Sequence, residues 1–374
     1  MFVAGAVPGE VVRAAVSEVH ARWARAALTT IVTPSPARVT PVCRYFADGS
    51  CGGCAWQHVA ITTQREAKQA LLAGALRRLI AAGLELRPLI SPVADLGWRW
   101  RARWTALGGA LGYHQPRGHD VTDIDACPQL TPGLAAVLAA VRQARATGAL
   151  VGDGEIHAVA GPGGAHVVIE AACGPAIAGL VGQADIRGVV WPGGAAGVDA
   201  VEIEPGLWVR GDGFAQGSAA GNAALAARVV GAAAVGPGDR VLELHAGAGN
   251  FTRGLVAAGA HVIAVDDHAP PRSPPDGRDQ RITSAAAAVA GLVADAAAID
   301  VVVLDPPRTG AREVMDGVAA LRPRRVVYVA CDPATFARDA DVLVAAGLVP
   351  RWAQGLDLMP QTAHVELVAV FERP

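Results

Sequence analysis

The residues of this chain that are best suited to covalent chemistry follow strand-like segments in its C-terminal half. Cys331 ends the apolar run VVYVA, Asp305 ends the run VVVL, and Glu366 stands in the C-terminal stretch AHVELV. Because open α/β sheets place their ligands at the carboxyl ends of strands, we expect these side chains to face one cleft. A thiol, a base and a polar anchor are the components of nucleophilic catalysis. Taken alone, Cys331 is also compatible with a small buried core residue.

A glycine-rich turn lies upstream of these residues. The segment VLELHAGAGNFTRGLVAAGAHVIAVDD predicts a strand, a turn, a helix and a second strand, with Gly247 and Gly249 in the turn. Glu243 lies on the first strand, and Asp266 ends the second, roughly 20 residues on, where a carboxylate binds ribose hydroxyls. Thr252 stands where a dinucleotide-binding pattern has its third glycine, which favours S-adenosylmethionine over a dinucleotide.

Four other cysteines form a pattern that is typical of a metal site. Two residues separate Cys51 from Cys54, Cys43 precedes them, and Cys127 is distant in the chain. In a cytoplasmic chain such a cluster indicates metal binding rather than disulfides. A zinc site and a [4Fe–4S] cluster both fit this set, and the residues alone do not separate the two. Cys173 is interpreted as a core residue.

The composition excludes several classes of protein. Of the 374 residues 52% are hydrophobic and 18% charged, so the chain can bury sizeable cores and is not globally disordered. A net charge of −2 excludes a uniformly basic nucleic-acid coat and leaves local arginine patches as sites for RNA. Neither a secretory signal nor a membrane-spanning run is recognisable, so we expect a cytoplasmic protein that does not enter a membrane.

The elements that must position these residues differ between two parts of the chain. From residue 206 onward, strand-like runs such as RVLELHA and IDVVVLD alternate with helix-like runs such as AREVMDGVAALR. This alternation predicts an open, doubly wound α/β sheet. Residues 62–82 predict an amphipathic helix, whereas residues 98–205 mix short strands with glycine and proline turns. The segment WRWRARW places arginines at every second position and predicts a strand with one basic face.

Several of these motifs together resemble one family of enzymes. DPPRTG, followed after 15 residues by VVYVACDPAT, resembles the signature of the RNA uracil-5-methyltransferase family, whose members are class I S-adenosylmethionine-dependent enzymes. PQTAHVELV resembles the C-terminal base motif of that family, and GFAQGSAAGNAAL resembles its segment with a cofactor-site glutamine. CGGCAWQH resembles the cluster loop of its ribosomal-RNA members. The resemblance runs in order along the whole chain.

The resemblance implies a mechanism and a set of site residues. Cys331 would add to carbon 6 of uracil, which makes carbon 5 nucleophilic, and after methyl transfer Glu366 would remove the carbon 5 proton. Asp305 would orient the uracil, and Arg308 is a candidate for supporting the thiolate. The cofactor-site residues implied are Gln216, His245, Gly247, Gly249, Asn250, Asp266, Asp295 and Asp305. The cluster implied is [4Fe–4S], with Cys43, Cys51, Cys54 and Cys127 as its ligands.

The resemblance also implies the domain organisation and the partner. Residues 1–40 would form a partial TRAM-like β segment, residues 41–205 a central α+β domain with the iron–sulfur site, and residues 206–374 a Rossmann-like methyltransferase domain. The expected partner is RNA, ribosomal RNA before transfer RNA, with no DNA, and the expected state is a monomer. The predicted RNA contacts are Arg99, Arg101, Arg103, Arg322, Arg324 and Arg325.

Departures from the family pattern leave two other functions open. Ala330 and Asp332 flank Cys331 where the family has serine and asparagine, and the segment after the second strand is short, which favours a non-catalytic RNA-binding protein. DPPR also resembles the DPPY motif of methyltransferases that act on amino groups of adenine or guanine, which use no cysteine. The presence of Asp305, Cys331 and Glu366 together favours uridine methylation.

Overall fold

A computed structural model describes residues 1–272 and 276–374. Its N-terminal part is a small sheet of β1 (Phe2–Ala4), β2 (Val11–Val19) and β3 (Ala24–Thr33) in the order β1-β3-β2. Within these three strands Ala26 is the one buried residue, so the sheet has very little core of its own. This sheet agrees with the β-rich character predicted for residues 1–40, and its relation to a TRAM domain stays a prediction.

The cysteine-rich segment contains one short helix and leads into two further helices and one strand. These elements are α1 (Arg44–Ala47), α2 (Ile61–Ala75), α3 (Arg77–Ala81) and β4 (Glu85–Ile90). Helix α2 is rich in alanine and leucine, which favour helix, and it buries Gln64, Lys68 and Leu72 at a spacing of four residues, on one face. Two of these three buried side chains are polar, which is unusual for a core-facing stripe.

The central part of the chain contains a second sheet. Its elements are β5 (Arg101–Leu107), β6 (Ala110–His114), β7 (Val121–Asp123), α4 (Pro132–Ala146), β8 (Gly154–Gly161), β9 (Gly164–Ile169), β10 (Ile186–Trp191) and β11 (Gly194–Gly197), followed by the hairpin of β12 (Val201–Glu204) and β13 (Leu207–Val209). The strand order is β11-β10-β9-β8-β5-β6-β7. Helix α4 begins at Pro132, with Thr131 as its cap, and packs Leu134 and Val137 into the core of this sheet.

The C-terminal part forms the largest sheet. Its elements are α5 (Ala219–Ala233), β14 (Arg240–Leu244), α6 (Thr252–Ala257), β15 (His261–Asp266), β16 (Asp279–Ile282), α7 (Ala285–Ala294), β17 (Val301–Leu304), α8 (Arg312–Ala320), β18 (Arg325–Ala330), α9 (Pro333–Ala345), β19 (Val349–Leu356) and β20 (Glu366–Glu372). The strand order is β16-β15-β14-β17-β18-β20-β19-β4. From β16 through β18 the neighbours are parallel, and β20 is antiparallel to both β18 and β19. The predicted doubly wound sheet is confirmed.

Both faces of this sheet are covered, as a parallel sheet requires. Helices α2, α7, α8 and α9 pack on the face that carries Leu242 and Leu244, and helices α5 and α6 pack on the face that carries Val241.

The predicted domain boundary at residue 206 differs from the structure in one respect. Strand β4 pairs with β19, and α2 packs on the same sheet, so residues 61–90 belong with the C-terminal part. No periodicity in the sequence specifies this pairing partner.

Phe336 provides a test of how the core is packed. Its side chain is fully buried, with ring centroids 5.1 Å from Tyr328 and 6.1 Å from Phe371. We expect Phe336→Ala to lower the free energy of unfolding by about 3–5 kcal/mol, because it leaves a cavity among rigid neighbours. Urea unfolding followed by circular dichroism measures the change. Phe214→Ala is the matched control, because Phe214 is 67% exposed, and equal losses in the two variants would contradict this account of the core.

Candidate active site

The sheet brings Asp305, Cys331 and Glu366 to one edge. Asp305 and Cys331 each follow the last residue of a strand, β17 and β18, and these two strands are parallel neighbours. Glu366 is the first residue of β20, and because β20 is antiparallel to β18, Leu367 lies opposite Ala330. The end of β18 and the start of β20 therefore meet at the same place. The prediction that these three side chains share one edge agrees with the structure.

Burial determines the electrostatics of this edge. The Glu366 side chain is buried, and this burial, together with the charge of Asp305, raises its pKa well above the usual range. Burial also raises the pKa of Asp305 to about 7. The pKa of the Cys331 thiol is raised by burial and by the two carboxylates, whereas the Arg308 guanidinium opposes the shift. Glu366 and the Cys331 thiol therefore favour their protonated forms, Asp305 is near its midpoint at neutral pH, and Arg308 is the cation that favours the thiolate.

The acid that follows the thiol has a structural role. Asp332 is the N-cap of α9, and one of its oxygens accepts hydrogen bonds from the backbone N–H groups of Ala334 and Thr335, each 2.9 Å long. Pro333 occupies the first turn, where its missing N–H is not needed. The departure from the family pattern at this position thus replaces one capping residue with another, since asparagine and aspartate cap helices about equally well.

The glycine-rich turn is held by the acid that ends β15. The backbone N–H of Gly247 donates to Asp266 Oδ2 at 2.7 Å, and the N–H of His268 donates to Oδ1 at 3.0 Å. Gly247 has a φ of +56°, and a Cβ built there would meet nothing within 4 Å, so the turn is open on that side. His245 also has a left-handed φ of +60°, which is uncommon outside glycine and frequent at ligand sites.

Asn250 and Gln216, two of the predicted residues around the turn, are each held by a hydrogen bond to another element. Asn250 and Asn222 exchange hydrogen bonds of 2.8 and 2.9 Å, which connects α5 to the turn. The backbone carbonyl of Gln216 accepts a hydrogen bond of 2.5 Å from Trp100 Nε1, which fixes the loop before α5. Neither Asn222 nor Trp100 is among the site residues that the sequence predicts. The available signal for Asn222 was an amide in the first turn of a helix whose one other polar side chain is Arg228.

Glu243 lies beneath the same turn and is almost fully buried. Its Oε2 accepts a hydrogen bond of 2.6 Å from Thr252, and its Oε1 has no partner among the described residues. Burial raises its pKa to about 7, although the Thr252 hydroxyl and Arg278 oppose the shift. A buried carboxyl oxygen without a partner beside an open glycine turn is the kind of group that a polar ligand satisfies.

Four of the predicted site residues lie away from this edge. Asp295 is exposed at the C-terminal end of α7, which leads back to the opposite edge of the sheet, so it is not brought to the glycine turn. Arg324 and Arg325 lie near the start of β18, also at the opposite edge, where they pair with Asp239 and Glu372. Arg322 precedes them in the same turn, with a left-handed φ of +53°. The structure therefore groups these residues with the opposite edge.

A second group of predicted residues is the set of four cysteine ligands. Burial raises the pKa of Cys51, and the neighbouring thiols of Cys127 and Cys43 raise it further. Burial likewise raises the pKa of Cys54 and of Cys127, and the Arg99 guanidinium opposes both shifts. The four thiols are thus close enough to influence one another electrostatically. An arginine beside them offsets the negative charge that deprotonated thiols would carry.

The spacing of these thiols bears on which metal centre they fit. In the part of the chain that the structure describes, no three of these sulfur atoms lie within 4.8 Å of one another. Tetrahedral zinc with Zn–S bonds of 2.3 Å would bring its sulfur ligands to about 3.8 Å from each other. By ligand type, four thiols fit either centre, since thiolates bind both zinc and iron–sulfur clusters.

No family model matches the chain, but individual proteins do. The 23S rRNA (uracil(1939)-C(5))-methyltransferase RlmD of Aeromonas hydrophila is 31% identical, and the alignment covers 100% of this chain and 91% of that protein. The enzyme of the same name from Thiobacillus denitrificans is 33% identical, with 100% and 94% covered.

Among solved structures, the Pyrococcus abyssi tRNA (uracil-54, C5)-methyltransferase in complex with S-adenosyl-L-homocysteine has a similar fold. Its TM-score is 0.75 at 22% sequence identity, and the match covers 99% of this chain and 94% of that one. None of the helices in the described part of the chain combines the length and apolar character that crossing a bilayer requires. The two full-length curated relatives, together with this shared fold, show that the chain belongs to the family of RNA uracil-C5-methyltransferases.

Proposed function

We propose that the chain methylates carbon 5 of a uridine in 23S ribosomal RNA with S-adenosylmethionine as the methyl donor. The observation that carries this proposal is the meeting of Cys331, Glu366 and Asp305 at one sheet edge, next to an open glycine turn with Asp266. Ribosomal RNA is favoured over transfer RNA because the full-length relatives are named for 23S rRNA, whereas the likeness to the tRNA enzyme concerns the fold.

The chemistry follows from the arrangement of the three groups. The Cys331 thiolate adds to carbon 6 of uracil, the carbon 5–carbon 6 double bond opens, and the electron pair moves into the ring carbonyl as an enolate. Carbon 5 would then attack the methyl group of S-adenosylmethionine, whose methyl carbon–sulfur bond breaks and leaves S-adenosylhomocysteine. Glu366 removes the remaining proton from carbon 5, the double bond re-forms, and Cys331 leaves as a thiolate. Glu366 must be a carboxylate at that step. Because its pKa is raised, the carboxylate is a strong base once it has lost its proton.

The remaining residues bind and orient the reactants in this proposal. Asp305, with a pKa of about 7, is present as both acid and carboxylate near neutral pH and can hydrogen-bond the edge of the uracil in either form. Asp266 binds the ribose hydroxyls of the cofactor. The other proposed cofactor-site residues are Gln216, His245, Gly247, Gly249 and Asn250. A base inside structured RNA has to be flipped out to reach Cys331.

We further propose that Cys43, Cys51, Cys54 and Cys127 hold a [4Fe–4S] cluster. The support is the four-thiol donor set, the resemblance of CGGCAWQH to the cluster loop of the ribosomal-RNA members, and the adjacent Arg99. Such a cluster would join the cysteine loop at 51–54 to the segment after β7 and so hold part of the central domain together. The residues 1–40 are proposed as a partial TRAM-like segment that contributes to RNA binding.

Trapping with 5-fluorouridine tests the nucleophile. Fluorine at carbon 5 cannot be removed as a proton, so we expect a denaturation-stable adduct between the protein and RNA that contains 5-fluorouridine, formed in the presence of S-adenosylmethionine. Gel electrophoresis under denaturing conditions detects the adduct, which Cys331→Ala should abolish. Cys173→Ala is the matched control and should leave the adduct intact. An adduct that survives Cys331→Ala would overturn the assignment, and RNA methylation without any adduct would favour an amino-methyltransferase.

If Arg308 supports the Cys331 thiolate, its removal should shift the pH profile of adduct formation. Because the Arg308 guanidinium opposes the rise in the pKa of Cys331, its removal should raise that pKa further. In Arg308→Met the midpoint of the pH profile for adduct formation should therefore move upward, by up to about one unit. Single-turnover trapping at saturating RNA measures the profile. Arg312→Met, which removes an exposed arginine nearby, is the control, and an unchanged midpoint in Arg308→Met would contradict the prediction.

The identity of the metal centre is tested by analysis of anaerobically purified protein. We expect about four iron and four sulfide per chain, with broad visible absorbance, and their loss in Cys127→Ser. Cys173→Ser should keep the full content, because Cys173 is not among the proposed ligands. One zinc per chain with no iron or sulfide would overturn the cluster in favour of a zinc site. The content of Cys43→Ser decides whether Cys43 is a ligand.

A further inference from the structure

We propose that Gln64 is a positioning residue for the base Glu366. Gln64 lies on α2 in the first quarter of the chain, and it holds the loop of residues 357–365 that leads directly into Glu366. The inference rests on the proposed role of Glu366 as the base that releases the methylated uridine.

The loop needs to be held because its length allows many conformations. It connects β19 to β20, and Leu356 and Glu366 face each other across the two strands where the loop begins and ends. Hairpin loops usually have two to five residues, and longer ones are fixed by contacts elsewhere. The position of Glu366 relative to Cys331 therefore depends on what the loop residues bind.

The Gln64 side chain makes a reciprocal amide pair with Gln361 at the centre of this loop. Gln64 Nε2 donates to Gln361 Oε1 at 2.9 Å, and Gln64 Oε1 accepts from the backbone N–H of Gln361 at 2.9 Å. Gln64 is completely buried. Gln361 has a left-handed φ of +67°, an uncommon conformation that persists where surrounding contacts define it. The pair thus fixes both the backbone and the side chain of the loop.

The cysteine loop binds the same residue from the other side. The carbonyl oxygen of Gln361 accepts hydrogen bonds from the N–H groups of Ala55 and Trp56, at 2.9 and 3.0 Å. The carbonyl oxygens of Trp56 and Val59 also lie within hydrogen-bond distance of Gln64 Nε2, at 2.9 and 2.8 Å, and share its two hydrogens with Gln361. Ala55 follows the proposed cluster ligand Cys54 directly. Gln64 therefore lies between the cysteine loop and the loop that carries the base, and it binds both.

A second buried residue of α2 holds the start of the loop. Lys68 lies one turn after Gln64 and is also completely buried, and it is the chain's one lysine. Its Nζ donates to Asp357 Oδ1 at 2.5 Å and to the carbonyl of Met359 at 3.0 Å. The two polar residues on the buried face of α2 thus bind the same loop at two points.

Few residues separate the contacts of Gln64 and Lys68 from the base Glu366. Thr362 donates its hydroxyl to the carbonyl of Met359 at 2.8 Å, and its Oγ1 accepts from the N–H of His364 at 3.3 Å. Val365 is buried in the core, and Glu366 follows it. A general base works only within hydrogen-bond distance of the proton that it removes, so a displacement of about 1 Å can slow that step about 100-fold.

The reaction has two stages, formation of the methylated covalent adduct and its release after the proton leaves carbon 5. A positioning defect at Glu366 slows only the release, whereas a misfolded protein is slow in both stages. With RNA that contains ordinary uridine, a lost base stops the reaction after methyl transfer, so the methylated covalent adduct accumulates. Glu366→Gln is the reference for that outcome. We expect Gln64→Ala to accumulate the adduct, with its release slowed about 10- to 100-fold, while trapping of 5-fluorouridine RNA proceeds within about twofold of the wild-type rate. Labelled methyl groups and denaturing gels measure both stages.

Gln69→Ala is the matched control. Gln69 lies on the same helix and also binds backbone groups through its amide, accepting from Leu89 N–H at 2.8 Å and donating to the Arg87 carbonyl at 3.4 Å. These partners belong to β4 and not to the loop, so neither stage should change.

The outcomes separate this inference from the proposed function. Release at the wild-type rate in Gln64→Ala, or an equal slowing of trapping and release, would overturn the positioning role. Failure of the wild-type protein to trap 5-fluorouridine RNA would instead overturn the proposed function. If Gln64→Ala does not fold, Gln361→Gly decides the matter, because it removes the Oε1 that accepts from Gln64 Nε2 and loosens the loop backbone, while glycine tolerates the left-handed φ. Adduct accumulation in that variant supports the role, and wild-type release overturns it.

Discussion

The antiparallel register between β18 and β20 is the constraint on which the rest of the site depends. Ala330 lies opposite Leu367, so the residue after one strand meets the residue that begins the other. Side chains alternate between the two faces of a strand, and a slip of one residue would move Glu366 to the other face. Every residue from Glu366 to Phe371 is buried, and this buried apolar pattern holds the register in which the carboxylate is placed near Cys331.

That register concentrates groups that are unfavourable in a buried place. Asp305, Glu366 and the Cys331 thiol all have raised pKa values because the edge excludes water, and Arg308 is the cation that partly compensates. The unfavourable free energy of a buried charge serves the proposed reaction. A buried carboxylate that prefers to be protonated is a strong base once it has lost its proton. The neighbouring sheet residues are apolar and tightly packed, so they hold the three groups in place.

The central part of the chain completes this edge instead of forming a separate unit. Strand β4 extends the large sheet beyond β19, and α2 covers the same face as α9. Through Gln64 and Lys68, α2 binds the loop before Glu366, and the cysteine loop binds Gln361. A metal centre at the cysteines would therefore stand next to the loop that carries the base, which gives a physical reason for the two centres to occur in one chain.

The local sequence determined the strand ends that carry Asp305 and Cys331, the glycine turn with Asp266, the cysteine pattern and the family, because each depends on residues that are close in the chain or on short motifs. The tertiary structure alone decided that β4 joins the large sheet, that Asp295, Arg324 and Arg325 lie at the opposite edge, and that Gln64 binds Gln361. The last pair is separated by 297 positions. Hydrophobic periodicity specifies which face of an element is buried, but a buried polar side chain finds its partner only when packing brings the two elements together.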